Sequence, residues 1–461
     1  MLAPVMHETA LCSTAASSDA ESGIPPRPVS DVSAGVGLCG LAGLIAWLLV
    51  CRNWGVIGDA LALPGPHAPL AGPYAALVAL IASGVPMVTW SVVVDKVHRR
   101  PSTGIDWHHP RPLRDVIDGA VIKLAGLWAT WALIAFVYAL GRWYWRGNYL
   151  FAMELLGYAA PALFLGAVPY VLWLDRVLIE PRDGAWHFGA MLIGRPGWDR
   201  AEIAHHLRAW AVKGFFIAFM LSIVTLGFME EVKADFGHIA GDIGAIGPVP
   251  LANVATDFMF MVDVQIAMVG YLLTIKPLDA HIRSANPLLA GWLAALLCYP
   301  PFNSVPLLDY HPNTADWSYW LAGRTALLWI WAVLLVGLTA IYAWATVAFG
   351  LRFSNLTYRG VLTNGPYAWT RHPAYLAKNT FWWLMTLPFL VTTHSPVDAV
   401  RDTVALALLG GVYYWRARTE EAHLLAADAK YRDYHAWMGQ YGPITARLNR
   451  LGRWLLRLRA R

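Results

Sequence analysis

Long apolar segments alternate with short polar links along most of the chain. An apolar segment of about 20 residues can cross the roughly 30 Å hydrocarbon core of a bilayer as an α-helix. The pattern therefore predicts an all-α, polytopic helical membrane protein with about ten transmembrane helices. The predicted spans are residues 35–51, 73–94, 120–140, 151–174, 215–228, 254–273, 287–298, 326–349, 380–391 and 404–414.

Composition supports the same class. Hydrophobic residues make up 57% of the 461 residues and charged residues 14%, whereas a soluble domain has roughly 25% charged residues. The chain has too little polar surface to cover itself in water. Its formal charge of +5 is concentrated at the C-terminus, which favours contact with anionic lipids of the bilayer over nucleic acid.

Charges in the polar links predict the orientation. If both termini are cytoplasmic, most Lys and Arg fall in inner links, as the positive-inside rule requires. Lys96, Arg176 and Arg208 are examples, whereas the outer link after the fifth span begins with Glu230 and Glu231. We therefore expect a bacterial cytoplasmic (inner) membrane protein with both termini in the cytoplasm.

Four regions are predicted. Residues 1–34 are polar and rich in Ala, Ser and Pro, which predicts a disordered cytoplasmic tail. Residues 35–315 form a bundle of about seven helices, and residues 316–445 form a second membrane domain. Residues 446–461 form a basic amphipathic helix on the membrane surface. Its apolar face would contain Leu448, Leu451, Leu455 and Leu458, and its basic face Arg450, Arg453, Arg457 and Arg461.

The second membrane domain contains the candidate chemistry. Between two of its predicted spans the chain reads Gly-Pro-Tyr-Ala-Trp-Thr-Arg-His-Pro-Ala-Tyr at 365–375, and after the last span Arg-Ala-Arg-Thr-Glu-Glu at 416–421. Pro373 suits the first turn of a helix, which puts Arg371 and His372 at its start. A helical hairpin would then return Glu420 and Glu421 to the same depth.

These motifs resemble the isoprenylcysteine carboxyl methyltransferase family, to which membrane phospholipid methyltransferases are related. The resemblance covers residues 326–434 and depends on the order of motifs around the hairpin. Two features depart from the family pattern. The family pattern is Arg-x-x-Glu-Glu, but here a single residue separates Arg418 from Glu420, and the three-residue offset is met by Arg418 and Glu421. Ala377 replaces a usual Gly, and Lys378 adds a cation.

The resemblance implies S-adenosylmethionine as the cofactor. It also implies methyl transfer to a hydrophobic or lipid acceptor at the cytoplasmic face of the membrane. It places His372, Pro373 and Tyr375 at the cofactor, with Glu420 and Glu421 closing the pocket. The first seven predicted helices lie outside the resemblance.

The chemistry of methyl transfer suggests further roles. The reaction is a direct displacement, so alignment and charge placement should dominate catalysis. Arg371 is the candidate to orient an acceptor carboxylate, with Arg352 and Arg359 as alternatives, and such an acceptor needs no base. An amine or hydroxyl acceptor would need one, and Glu421 is the candidate.

Two aromatic residues are candidates for cofactor contact. Tyr367 and Trp369 could stack on adenine or cover a sulfonium, an attraction of roughly 0.5–2 kcal/mol. Simpler interpretations stay open for the charged residues. Arg371 could be one more positive charge that fixes topology, and Glu420 and Glu421 could be solvated helix charges.

Other polar residues predict no metal centre. The pairs His108-His109 and His205-His206 lack the three- and four-residue spacing of membrane di-iron sites. Asp263 lies in the middle of a predicted span, where a carboxyl group is costly unless it is paired or functional. It is either hydrogen-bonded between helices or in contact with a substrate.

Two other functions remain open. Sterol reductases also have about ten spans and a related C-terminal architecture, but they use NADPH. Their signature resembles Arg-Asp followed by Lys-Tyr-Gly-x-x-Trp. This chain instead has Arg-Thr-Glu-Glu at 418–421 and Lys-Tyr-Arg at 430–432, which counts against a reductase. The second alternative is a non-catalytic membrane scaffold or transporter.

Overall fold

The structure, a computed structural model, describes residues 25–65, 67–234, 247–303 and 315–459. These residues are mostly α-helical, which confirms the predicted all-α class, and two short strands pair antiparallel. The helices are α1 (Ala34–Arg52), α2 (Trp54–Ala60), α3 (Pro73–Val93), α4 (Leu113–Leu140), α5 (Tyr149–Val177), α6 (Gly184–Leu192), α7 (Arg200–Lys233), α8 (Pro248–Leu272), α9 (Leu289–Leu296), α10 (Trp317–Trp320), α11 (Thr325–Phe349), α12 (Pro373–Thr386), α13 (Pro396–Ala427), α14 (Ala429–Tyr441) and α15 (Thr445–Arg459). The strands are β1 (Ser284–Ala285) and β2 (Thr357–Tyr358).

Seven of the described helices are long and apolar enough to cross a membrane, as expected of an integral membrane protein. They are α1, α3, α4, α5, α7, α8 and α11. The count of ten is not confirmed. The predicted span 287–298 contains only the eight residues of α9, and 380–391 overlaps the 14-residue α12. The span 404–414 lies in α13, whose apolar middle is flanked by Asp402 and Arg416, and this helix is not among the seven.

Helices α8 and α11 lie side by side and run parallel. Thr346 of α11 donates a hydrogen bond to Asp263 of α8, and β1, which follows α8, pairs with β2, which follows α11. Two parallel helices that follow each other in sequence need a link that runs back along their length. The chain between α8 and α11 makes this link, and its described helices α9 and α10 belong to the return path between the two ends of the pair.

The main core lies where α1, α3, α7, α8 and α11 meet. Close backbone approach positions α1 there, because a Cβ atom on Gly37 would lie 2.0 Å from the carbonyl oxygen of Val347. Small residues allow this packing between helices in lipid. The contact holds α1 against α11, whose last turn leads into the candidate site. Fully buried core side chains include Leu44, Met87, Phe216, Phe228, Ile266 and Tyr271.

The N-terminal segment differs from the predicted disordered tail where it is described. Residues 1–24 lie outside the described residues, but residues 25–33 contact the C-terminal part of the chain. Asp31 accepts hydrogen bonds from Val361 N at 2.7 Å and Lys430 Nζ at 2.5 Å. Trp437 donates its indole N–H to the carbonyl of Pro25 at 2.7 Å. These contacts hold the segment beside the candidate site.

The predicted surface helix is present as α15 and begins at Thr445, one residue before the expected start. Arg450, Arg453 and Arg457 are exposed, and Leu448 and Leu451 are each 51% exposed. The side chains of Leu455 and Leu458, and the whole of Arg461, lie outside the described part of the chain. The exposed leucines are consistent with a helix that needs an apolar partner, and binding to the membrane surface stays a prediction.

Candidate functional site

A cavity of about 180 Å³ lies among the end of α11, the loop 350–372, and helices α12, α13 and α14. Pro373 occupies the first turn of α12, as predicted, so Arg371 and His372 immediately precede that helix. The lining of the cavity, among the described residues, includes five Lys or Arg side chains, two His side chains and one carboxylate, that of Glu420. These side chains are Arg352, Arg359, Arg371, His372, Lys378, Arg416, Glu420 and His423.

The structure brings together the basic start of α12 and the acidic pair of α13. His372 Nε2 lies 2.9 Å from Glu421 Oε1, and Arg371 Nε lies 3.0 Å from the same oxygen. The Arg371 Nε–H group does not point at that oxygen, so this contact is an ion pair without a hydrogen bond. Arg418 donates to Glu421 Oε2 at 2.7 Å. The side chain of Glu421 is only 3% exposed, and His435 Nε2 lies 3.9 Å from Oε1, so four cationic or ionisable groups surround a buried carboxylate.

These contacts determine the protonation state of Glu421, which lies beyond the predicted span 404–414. Burial by itself would raise the pKa of this carboxyl group. The hydrogen bond with His372 and the positive charges of His372 and Arg371 outweigh burial and lower the pKa to about 2. Glu421 is therefore ionised at neutral pH and is a weak base there.

Glu420 has different neighbours because adjacent residues on a helix point about 100° apart. Tyr375 OH donates a hydrogen bond to Glu420 Oε1 at 2.5 Å, and Arg416 Nε donates to the same oxygen at 3.3 Å. The second contact is the four-residue pair that helical spacing allows. Glu420 lines the cavity, whereas Glu421 lies behind His372 and Arg371 and does not.

The remaining predicted site residues divide into two groups. Tyr367 and Tyr375 line the cavity, and the Tyr367 carbonyl accepts a hydrogen bond from Tyr434 OH at 2.8 Å. Trp369 does not line the cavity: its ring packs edge-on against Trp344 at 5.2 Å and is 38% exposed. Pro373 is buried in the first turn of α12 and also lies outside the cavity lining.

Arg416 is a central residue of the site that the sequence analysis did not name as a candidate. Its guanidinium donates to Asn355 Oδ1 at 2.6 Å and to Tyr299 OH at 3.3 Å. It also lies over the rings of Tyr299 and Tyr375, at 5.4 and 5.2 Å from their centroids. Tyr299 and Asn355 come from distant parts of the chain, and no local sequence signal marks them.

The two alternative arginines have mainly structural contacts. Arg359 donates to the backbone carbonyls of Ala280, Gly270 and Phe353, two of them at 2.7 Å and the Gly270 carbonyl at 2.9 Å. Arg352 donates to Asp279 Oδ2 at 2.5 Å. One atom of Arg352, Nη1, is buried without a hydrogen-bond partner among the described residues, as is Arg371 Nε.

Asp263 is hydrogen-bonded between helices, one of the two outcomes expected from the sequence. Its carboxylate accepts a hydrogen bond from Thr346, which lines the cavity, whereas Asp263 itself does not line it.

Within the described ranges no group of three His, Cys, Asp or Glu side chains is placed to hold a metal ion. No known family model, curated protein or solved structure matches this chain.

Proposed function

We propose that this chain is an S-adenosylmethionine-dependent methyltransferase that acts on a lipid or lipid-like acceptor at the cytoplasmic face of a bacterial inner membrane. One observation carries the proposal. Arg371 and His372, before α12, meet Glu421 of α13 within 3.0 Å, beside a cavity lined by tyrosines. This is the arrangement that the resemblance to isoprenylcysteine carboxyl methyltransferases implies for the motifs at 365–375 and 416–421.

The proposed topology has ten crossings with both termini in the cytoplasm. The seven long apolar helices would supply seven crossings. The chain between α8 and α11 would supply another, because these two helices run parallel. Helices α12 and α13 would supply the last two as a hairpin that enters and leaves the membrane. In this topology the cavity opens to the cytoplasm.

The side chains of the cavity fit the polar groups of the cofactor. Arg352 Nη1 and Arg371 Nε form ion pairs with Asp31 and Glu421, at 3.6 and 3.0 Å, but donate no hydrogen bond in the described structure, so each could donate one to a carboxylate of the cofactor. Glu420 suits ribose hydroxyls or an ammonium group, and the rings of Tyr367 and Tyr375 offer apolar faces. When bound, S-adenosylmethionine supplies an electrophilic methyl group.

We assign two different roles to the acidic pair. Glu421 holds His372 and Arg371 in place, because its two oxygens are already engaged by these residues and by Arg418. Its low pKa makes it a poor general base, so the expectation that Glu421 takes a proton from an amine or hydroxyl is not favoured. Glu420, which lines the cavity, is the better candidate for that acceptor chemistry. A carboxylate acceptor would need only orientation by a cation such as Arg371.

The proposal is tested by binding of S-adenosylhomocysteine to the detergent-purified protein. His372→Ala and Glu421→Gln should each weaken binding about tenfold or more, because each removes a charge-assisted hydrogen bond or its partner. His109→Ala is a matched control: His109 Nδ1 also lies 2.9 Å from a carboxylate, that of Asp106, but in an exposed loop. Wild-type affinity in the first two variants would refute the site assignment.

A second candidate function is NADPH-dependent reduction, and the excess of basic side chains in the cavity is the observation that favours it. Five Lys and Arg against one Glu, among the described lining residues, would also suit phosphate groups. Binding of NADPH in place of S-adenosylhomocysteine would support this candidate. Cofactor binding without any methylated product in lipid extracts would instead support a scaffold.

A further inference from the structure

Lys378 lies at the inner end of the cavity, away from the cluster around Glu421. It follows Pro373 by five residues on α12, which places it about 8 Å farther along the helix. Tyr413, which lies beside it, precedes Glu420 by seven residues on α13 and is about 10 Å from that carboxylate along the helix axis. The cavity lining therefore extends from Arg371 and His372 at one end to Lys378 at the other, and the end at Lys378 is the inner end because it lies farther along α12.

The ammonium group of Lys378 is held between two tyrosine rings. It lies 5.5 Å from the ring centroid of Tyr342 on α11 and 5.5 Å from that of Tyr413. Among the described residues no carboxylate lies within ion-pair distance of Lys378, and no hydrogen bond from its ammonium is present. The charge of Asp263 acts on Lys378 from a greater distance, but the Asp263 carboxylate is engaged by Thr346.

A partly buried cation whose nearest opposite charge, on Asp263, lies beyond ion-pair distance is costly, and two ring faces offset only part of that cost. The cavity around Lys378 also has an excess of basic side chains, and the carboxylate of Glu420 is already bonded to Tyr375 and Arg416. An anionic ligand at Lys378 would remove this imbalance.

The surroundings of the inner end indicate what else the ligand contains. Beyond Lys378, α12 continues with Phe381, Trp382, Trp383 and Leu384, so the deeper part of the helix is apolar. Leu376, on the outer surface of the same helix, is 41% exposed. A molecule that carries a charge to this depth needs an apolar body that tolerates the membrane.

We infer that Lys378, with Tyr342 and Tyr413, binds the anionic head group of an amphiphile that enters the inner end of the cavity from the membrane. The head group is a carboxylate or a phosphate, both of which accept hydrogen bonds from an ammonium and from phenolic hydroxyls. That this amphiphile is the methyl acceptor depends on the proposed function, but the binding site itself does not.

The inference is tested with four C18 amphiphiles that share a chain and differ in head group: oleate, oleyl phosphate, oleyl alcohol and oleylamine. Their affinities are measured for the full-length protein in a non-ionic detergent. Oleate, oleyl phosphate or both should bind at least tenfold more tightly than the alcohol and the amine. The tighter of the two anions identifies the head group.

Variants at one position test the role of the charge. Lys378→Met keeps the length of the side chain and should weaken binding of the preferred anion about tenfold or more, whereas Lys378→Arg should keep it within about threefold. Lys233→Met, at the exposed end of α7, is the matched control and should bind like the wild type. Thermal unfolding of each variant verifies that it is folded.

The inference is overturned if oleylamine or oleyl alcohol binds as tightly as both anions, or if Lys378→Met keeps the wild-type affinity for the preferred anion. Binding of S-adenosylhomocysteine is measured on the same samples. Its absence would refute the proposed methyltransferase function, while a Lys378-dependent affinity for the anion would still support the amphiphile site.

Discussion

Two lysines, Lys123 and Lys378, differ in how their positive charges are compensated. Lys123 of α4, 4% exposed, lies 2.5 Å from Asp175 Oδ1 and 3.1 Å from Asp183 Oδ2. Lys378 of α12 contacts two tyrosine rings and, within the described residues, forms no ion pair. The first lysine is fully compensated by protein groups and the second is not.

This difference separates a structural site from the proposed binding site. The Lys123 cluster ties α4 to α5 and to the start of α6, where Asp183 also accepts a hydrogen bond from Trp186 N. Each charge there already has a partner, so a ligand would gain nothing. Lys378 has no ion-pair partner among the described residues and lines a cavity, so a ligand can supply the compensating charge.

The largest effect is expected at the compensated lysine. Lys123→Met should lower the free energy of unfolding by about 3–5 kcal/mol, because it leaves the buried carboxylate of Asp175 without a counter-charge. Thermal or denaturant unfolding of the detergent-solubilised protein measures this. The double variant Lys123→Met/Asp175→Leu should recover much of the loss. If Lys123→Met is as stable as the wild type, the compensated lysine is not a structural residue and the comparison fails.

The next effect concerns pH and the Glu421 cluster. The folded-state pKa of about 2 lies below the ordinary value of 4.5, so this carboxylate stabilises the fold above pH 4.5 and loses that contribution as the pH falls towards 2. The difference corresponds to about 3 kcal/mol. Unfolding measured from pH 7 to pH 2.5 should show this loss in the wild type. Glu421→Gln should be less stable at pH 7 and should lack this part of the pH dependence; an identical profile in the variant would contradict the assignment.

A smaller effect on stability is expected at the uncompensated lysine. Lys378→Met should change the free energy of unfolding by less than about 1 kcal/mol, since the lost cation–π attraction is offset by removal of a partly buried charge. The same unfolding assay in the absence of added amphiphile measures this. A loss as large as that of Lys123→Met would show that Lys378 is a structural residue and would end the contrast.

The smallest effect is expected at an exposed ion pair, which serves as a reference for the other three changes in stability. Arg195 Nη2 lies 2.8 Å from Asp118 Oδ1, with both side chains more than half exposed. Asp118→Asn should change stability by at most about 0.5 kcal/mol, because solvent screens such pairs. A change of several kcal/mol would mean that distance alone, without burial, determines the strength of ion pairs in this protein.

The hydrophobic pattern predicted the helices best where apolar runs were longest. The spans beginning at 35, 73, 120, 151, 215, 254 and 326 all correspond to long apolar helices. A long apolar segment in lipid has few alternatives to a helix, because its backbone must satisfy its own hydrogen bonds. The shorter runs 287–298 and 380–391 instead became helices of eight and 14 residues. A short apolar run does not specify whether a helix spans, re-enters or packs within the protein.

The order of motifs also predicted that His372 and Glu421 would meet, because a helical hairpin returns the chain to its starting depth. Sequence alone could not decide which of Glu420 and Glu421 faces the cavity. That choice depends on the rotation of α13 about its axis, which contacts with α12 and α14 determine. The same rotation turns Arg416 towards Tyr299 and Asn355.

The sequence by itself thus determined an all-α membrane protein and a basic–acidic meeting point, since both follow from local periodicity and chain order. Only the tertiary structure placed Lys378 between Tyr342 and Tyr413, moved Trp369 away from the cavity, and held residues 25–33 through Asp31. Each of these outcomes depends on contacts between segments far apart in sequence. Whether a buried charge has a partner is a property of the folded neighbourhood, which no single segment encodes.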